Sequence, residues 1–145
     1  MANQFIIKNT LADIRTLSAA ELTALTNGTY DGLRLLGYHQ ANDTPRPIDY
    51  YISNTTEQDN AGSVIAVGGK KLEHKFTQQI DSRYFGTKGD GIADDADALI
   101  RCIKSAIHHK VPVYIPKTAA HYNIAKNIRV PFEAKSDLSF YLMVP

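Results

Sequence analysis

The stretch from Arg83 to Pro116 constrains this chain most, because it sets a cluster of glycines and aspartates directly ahead of one amphipathic helix and closes that helix with proline. Ala96, Leu99, Ile100, Ile103 and Ile107 recur at the 3.6-residue period and share one helical face. Asp94 and Asp95 precede the helix while His108, His109 and Lys110 close it, as the helix dipole favours. Pro112 stops it. Val113-Tyr114-Ile115 then reads as a short buried strand ended by Pro116, and Arg83-Tyr84-Phe85-Gly86 as a strand ended by glycine. Ile124, Ile128 to Val130 and Leu138 to Val144 read as further short strands, roughly ten to twelve residues apart.

The residues before this stretch follow other periods. Thr10 with Asp13 and Ser18 with Glu21 are helix-start signatures, so one helix or two in tandem belong between residues 10 and 26, ending at Asn27-Gly28. Gly32 to Tyr38 and Ile48 to Ile52 predict a hairpin with a long tip through Asp43-Thr44-Pro45-Arg46-Pro47. Val64, Ile65 and Val67 against Leu72, His74 and Phe76 predict a second hairpin around Gly68-Gly69. Together they make an α+β unit of about 76 residues, close to the size at which one core is marginal by itself. The polar run at Thr77 to Asp81 marks the boundary, dividing the chain into residues 1–80 and 81–145.

Composition narrows the function. With 145 residues, 43% apolar and 21% charged, the chain fits one ordinary globular domain or two small ones. Sixteen Lys and Arg against 15 Asp and Glu leave no basic footprint for nucleic acid. The single cysteine, Cys102, forms no internal disulfide and suits folding in a reducing cytosol. Phe5-Ile6-Ile7 is too short a run for a signal peptide or membrane anchor, so any export is expected to take another route, such as lysis of the cell.

The run Tyr84-Phe85-Gly86-Thr87-Lys88-Gly89-Asp90-Gly91-Ile92-Ala93-Asp94-Asp95, followed by the helix, Val113-Tyr114-Ile115-Pro116 and Tyr122, resembles the amino-terminal opening of the pectate-lyase-like right-handed β-helix superfamily. Thr87 stands where that family usually has Ala, and Lys117 to His121 replace its shorter turn. Residues 10–76, with Ile14-Arg15-Thr16-Leu17, Leu35-Leu36-Gly37-Tyr38, Asp49-Tyr50-Tyr51 and Thr56 to Gly69, resemble the small domain preceding the β-helix in phage tailspikes and related depolymerases. The resemblance implies an α+β head domain, 1–80, that anchors a homotrimeric spike to tail, adaptor or baseplate proteins of the virion. Residues 81–145 would then be the neck, the capping helix and the first, incomplete rungs of a parallel β-helix. It implies also that host surface polysaccharide is engaged by a downstream region, where the catalytic acids of a depolymerase would lie.

In this reading Phe85, Gly86, Lys88, Gly89, Asp90, Gly91, Asp94, Asp95 and Pro116 form a structural cap motif and not a catalytic or metal site. A solenoid has an open apolar end that must be covered; the helix stripe fits that task, the glycines permit sharp turns, and Asp94 or Asp95 can cap the helix. The rival readings of the same residues are weaker. Asp90, Asp94, Asp95 and Asp97 could together attract calcium, but their spacing is not that of an EF-hand loop. Asp94 and Asp95 are adjacent and diverge, unlike the paired carboxylates of a glycosidase. His108 and His109 point to different sides of a helix, and Gly86-x-x-Gly89-x-Gly91 is not a phosphate-loop order. Asn27-Gly28-Thr29 and Asn54-Thr55-Thr56 read as turns. No cofactor, nucleic acid or membrane partner is expected.

Three functions therefore compete: an anchoring and capping segment of a tailspike, a piece of a polysaccharide lyase or hydrolase, and a carbohydrate-binding module resting on Tyr30, Tyr38, Tyr50 and Tyr51. The first is the leading expectation, with no enzymatic activity in this chain itself. Residues 113–145 supply at most two rungs where a solenoid needs about three, so the chain reads as part of a longer protein or as a short form completed by its partners.

Overall fold

Two capping boxes start the helices of the first half. The Thr10 hydroxyl accepts from the Asp13 amide (3.2 Å) while the Asp13 carboxylate accepts from the Thr10 amide (3.0 Å), and Ser18 and Glu21 repeat the exchange at 3.2 and 2.8 Å. They open α1 (Leu11–Arg15) and α2 (Ala19–Thr26), the tandem pair anticipated from sequence. Leu11, Ile14, Leu17 and Leu25 are buried. In this computed structural model, residues 4–129 and the backbone of Leu142–Met143 are described.

The helices bridge β1 (Phe5–Lys8) and β2 (Gly32–Leu35), which pair in parallel, so the chain needs a crossover of this kind between them. Three antiparallel strands follow: β3 (Ile48–Ser53), β4 (Val64–Val67) and β5 (Lys70–Glu73), giving the sheet order β1-β2-β3-β5-β4. Leu33, Tyr50, Ile65 and Leu72 are fully buried within this unit. Both hairpins expected from sequence are present, although β5 ends at Glu73, short of the expected His74 and Phe76. Val67 faces Lys70 across Gly68-Gly69, whose φ of 56° and 74° are what a two-residue turn requires. The strand expected to reach Tyr38 stops at Leu35, because the Asp43 carboxylate draws the chain aside by accepting from the amides of Tyr38, His39 and Gln40 (2.6, 2.8 and 3.1 Å). β1 was not anticipated.

The chain divides into the units Met1–Lys75 and Phe76–Pro145, a few residues before the boundary expected at 80/81. The physical reason lies in Phe76, whose ring packs 5.6 Å from Tyr84, 6.2 Å from Phe85 and 6.4 Å from His109. The polar run Thr77 to Gln79 is thus a surface stretch within the second unit.

That second unit is a stack. β6 (Ile80–Asp81), β7 (Val113–Tyr114) and β8 (Leu142–Met143) pair in parallel and in chain order, with Ile80, Val113 and Leu142 in one column and Asp81, Tyr114 and Met143 in the next. Successive strands lie roughly 30 residues apart, within the repeat range of solenoids. α3 (Ala96–His109) packs on β6 and β7. Its buried stripe is Ala96, Leu99, Cys102, Ile103 and Ala106, while Ile100 and Ile107 lie half-buried at the edge. The face expected from sequence was therefore right in its centre and too far round at one side.

Three sequence expectations need correction. Arg83 to Gly86 is no strand: Ser82–Phe85 form a single 3-10 turn, because the Asp81 carboxylate accepts from the Arg83 amide (2.9 Å) and ends β6 there. Ile124 and Ile128 lie outside any strand; the parallel bridge in this region joins Asp94 to Asn123. Ile115 likewise falls beyond β7. Val130 and residues 138–141 and 144 lie outside the described residues.

Candidate functional site

The proposed cap motif is assembled around one buried carboxylate. Asp95, 1% exposed, stands at the start of α3 but makes no side-chain cap there. Its oxygens instead reach back to accept from the amides of Lys88 (2.7 Å) and Gly89 (3.1 Å), closing the loop from Gly86 to Asp95 on itself. The capping contact comes from Asp94, whose Oδ1 accepts from the Ala96 amide (3.0 Å) and from the Ala125 amide (3.2 Å). Asp90 closes a tighter turn by accepting from Ile92 (2.9 Å) and Ala93 (2.8 Å).

Backbone donors have an electrostatic consequence. The Ala93 and Ile92 amides hold the Asp90 carboxyl below its ordinary range, and those of Ala96 and Ala125 do the same for Asp94. A carboxylate so held is a poor proton acceptor, and these acids serve the loop instead of facing one another across an open cleft. Among the described residues no three His, Cys, Asp or Glu side chains converge as a metal site would need. No described helix is long and apolar enough to cross a membrane.

The loop rests on a second layer, residues 117–125. The Gly91 amide donates to the His121 carbonyl (2.9 Å), the Asp95 amide to that of Asn123 (2.8 Å), and Asn123 Nδ2 to the Ile92 carbonyl (3.2 Å). Gly89 has φ 60°, and a Cβ on it would come within 2.3 Å of Thr118 Cγ2, so only glycine fits that layer contact. The turn from Lys117 to His121 is closed by the tyrosine that follows it: Tyr122 Oη donates to the Pro116 carbonyl (2.6 Å), and burial raises the Tyr122 pKa. Pro116 is buried, and so is Phe85, whose carbonyl accepts from Arg101 Nη2 (3.1 Å).

All nine motif residues thus lie in the second unit, and their contacts run through the loop, the helix start and the layer beneath. Reading by motif missed Asp81, which pairs with Arg83 (2.8 Å), and the layer residues Thr118, His121 and Asn123. The available signal for Asp81 was an aspartate followed at once by Ser82, a pair that favours a capped turn over a strand. Thr87, the departure from the usual Ala, finds its partner in Ser82, with the two buried hydroxyls 2.9 Å apart. In the first unit, Asp59 plays a matching role. Burial works against its charge, but Arg15 and the amides of Ala66 and Ala61 outweigh that and lower its pKa.

No protein-family model and no curated protein sequence matches the chain. Solved structures do. Part of the tailspike protein of Acinetobacter baumannii phage AM24 superposes with a TM-score of 0.60 over 88% of this chain at 15% identity. WceF of Pantoea stewartii, described as a glycan biofilm modifying enzyme with a tailspike-like parallel β-helix fold, gives 0.58 over 76% at 16% identity. The enzymatically active domain of tailspike protein 2 of bacteriophage CBA120 gives 0.53 over 92% at 21% identity. The chain spans only 15% to 20% of the length of these proteins. A stack of parallel strands in chain order, a helix on its flank and these superpositions agree: the chain has the fold of a segment of the bacteriophage tailspike-like parallel β-helix proteins.

Proposed function

We infer that this chain is the amino-terminal segment of a phage tailspike, in which residues 76–145 start and cap a right-handed parallel β-helix and residues 1–75 join a homotrimeric spike to the tail of the virion. The observation that carries the capping role is the stack β6-β7-β8 with the apolar stripe of α3 against it. Parallel crossovers are right-handed almost without exception, which gives the helix its hand. Engagement of host polysaccharide, and its cleavage, then belong to later turns. In this reading the chain itself carries no enzymatic activity, which the commitment of Asp90, Asp94 and Asp95 to backbone amides supports.

A second reading has one observation of its own. The CBA120 structure is of an enzymatically active domain, and a match over 92% of this chain takes in most of the first unit as well as the second. On that reading residues 1–75 belong to the catalytic body of the spike and not to its anchor.

Spike-deficient phage particles incubated with the purified chain separate the two. Co-sedimentation of the chain with the particles, lost when residues 1–75 are deleted, is the outcome expected of an anchor. Absence of binding while the chain remains folded defeats anchoring. The same preparation should sediment as a trimer across a tenfold dilution and leave the viscosity of the host polysaccharide unchanged; a fall in viscosity would make it an enzyme.

A further inference from the structure

Of the four tyrosines singled out from sequence, the structure buries Tyr50 completely, half-buries Tyr30 and Tyr38, and leaves Tyr51 49% exposed on β3. The Tyr51 ring is held from one side. Phe5 meets it edge-on with centroids 6.0 Å apart, and Gly32 lies close beneath, where a Cβ would come within 3.2 Å of Tyr51 Cδ1. An aromatic ring fixed in this way loses little conformational freedom when a ligand stacks on it.

Beside Tyr51 runs a groove of about 370 Å³, lined also by Asp49, Ser53, Glu73, His74 and Lys75. The sheet register explains why these residues meet. Tyr51 lies directly opposite Glu73, and Asp49 and Ser53 flank Tyr51 at the two-residue period of the same face. Asp49 is oriented by Arg34 (2.7 and 2.8 Å), Glu73 accepts from the Ser53 hydroxyl, and His74 Nδ1 lies 2.8 Å from the Asp49 carbonyl. The groove thus offers one fixed aromatic face, two carboxylates that accept hydrogen bonds and one ammonium that donates them. Its volume lies near the lower end of small-molecule sites.

We propose that this groove binds a neutral saccharide, with the Tyr51 ring stacked on the C–H face of a sugar and Asp49, Glu73 and Lys75 bonding its hydroxyls. A pyranose presents that combination, an apolar face ringed by groups that both donate and accept. The charges argue for a neutral sugar: Asp49 and Glu73 are balanced by Arg34 and Lys75, so neither a polyanionic glycan nor nucleic acid gains from the field. The site lies wholly in the first unit and stands independently of the anchoring role inferred above.

Titration of the full chain with glucose, galactose, mannose and maltohexaose, followed through the backbone amide signals of Ser53 and His74 beside the groove, tests the proposal. Saturable shifts are expected for at least one of them. Tyr51→Ala should weaken that binding about tenfold while Tyr51→Phe, which keeps the stacking face, retains most of it. Polygalacturonate, an acidic glycan, should give no comparable shift. Absence of saturable shifts with every neutral probe, binding unaffected by Tyr51→Ala in a chain whose melting is unchanged, or preference for polygalacturonate would each overturn it.

Discussion

The two units solve the same problem, how to satisfy a loop-rich backbone, by different means. In the first, ladders of three or four residue pairs join five strands into one sheet, and carboxylates such as Asp43 and Asp59 fasten the loops between them. In the second, each strand contributes a ladder of two residues, and the path between strands is held by Asp81, Asp90, Asp94 and Asp95. The first unit should thus yield mainly to loss of core volume, the second to loss of single polar atoms.

The contrast can be broken at several points. The largest effect should follow Leu33→Ala in the fully buried core of the first sheet, about 3 kcal/mol by urea unfolding. Hydrogen exchange should rise in residues 4–75 while protection of α3 is retained; equal loss in both units would end the comparison. Next comes Asp95→Ala, which leaves the part-buried amide of Lys88 and the buried amide of Gly89 without their partner and should cost about 2 kcal/mol. Cys102 supplies the readout. It is fully buried in α3, and burial pushes its thiol pKa far up, so a thiol reagent reaches it only when the second unit opens. Labelling about thirtyfold faster is the expected result, and an unchanged rate would show that Asp95 does not hold the loop.

Gly89→Ala should act in the same direction but less, at about 1 to 2 kcal/mol, through the left-handed backbone and the approach to Thr118. The smallest effect is that of acid. Asp90 and Asp94 have folded pKa values below their ordinary ones, so their contribution is complete above about pH 4 and lost as the pH falls through the lower folded values. Stability of the second unit to urea should therefore stay level from neutrality down to about pH 4 and fall below it; a loss on the alkaline side of that range would contradict the sign.

Much of this was legible in the sequence wherever the signal is local. Capping boxes at Thr10 and Ser18, the Gly68-Gly69 turn and the α3 stripe each depend on residues within a few positions; the first three are present as read, and the stripe is right in its centre. What failed was non-local. β1 is only Phe5-Ile6-Ile7-Lys8, a strand because β2 stands beside it, and no alternation announces that. The two-residue strands are too short for any period, and Arg83 to Gly86 looked extended because its apolar residues, Tyr84 and Phe85, are adjacent and both buried. Of the candidate site, the glycines and aspartates stood out in sequence. Their true partners, the amides of Lys88, Gly89 and Ala125, did not, because backbone donors leave no mark in residue types.

The chain-order stacking of β6, β7 and β8 has a consequence for inheritance. Among the described residues β6 pairs only with β7, and β7 with β6 and β8, so each strand answers to its immediate neighbours. Change at one end of such a stack is damped strand by strand, so one end can drift or be exchanged over evolution with little call on the pairs at the other.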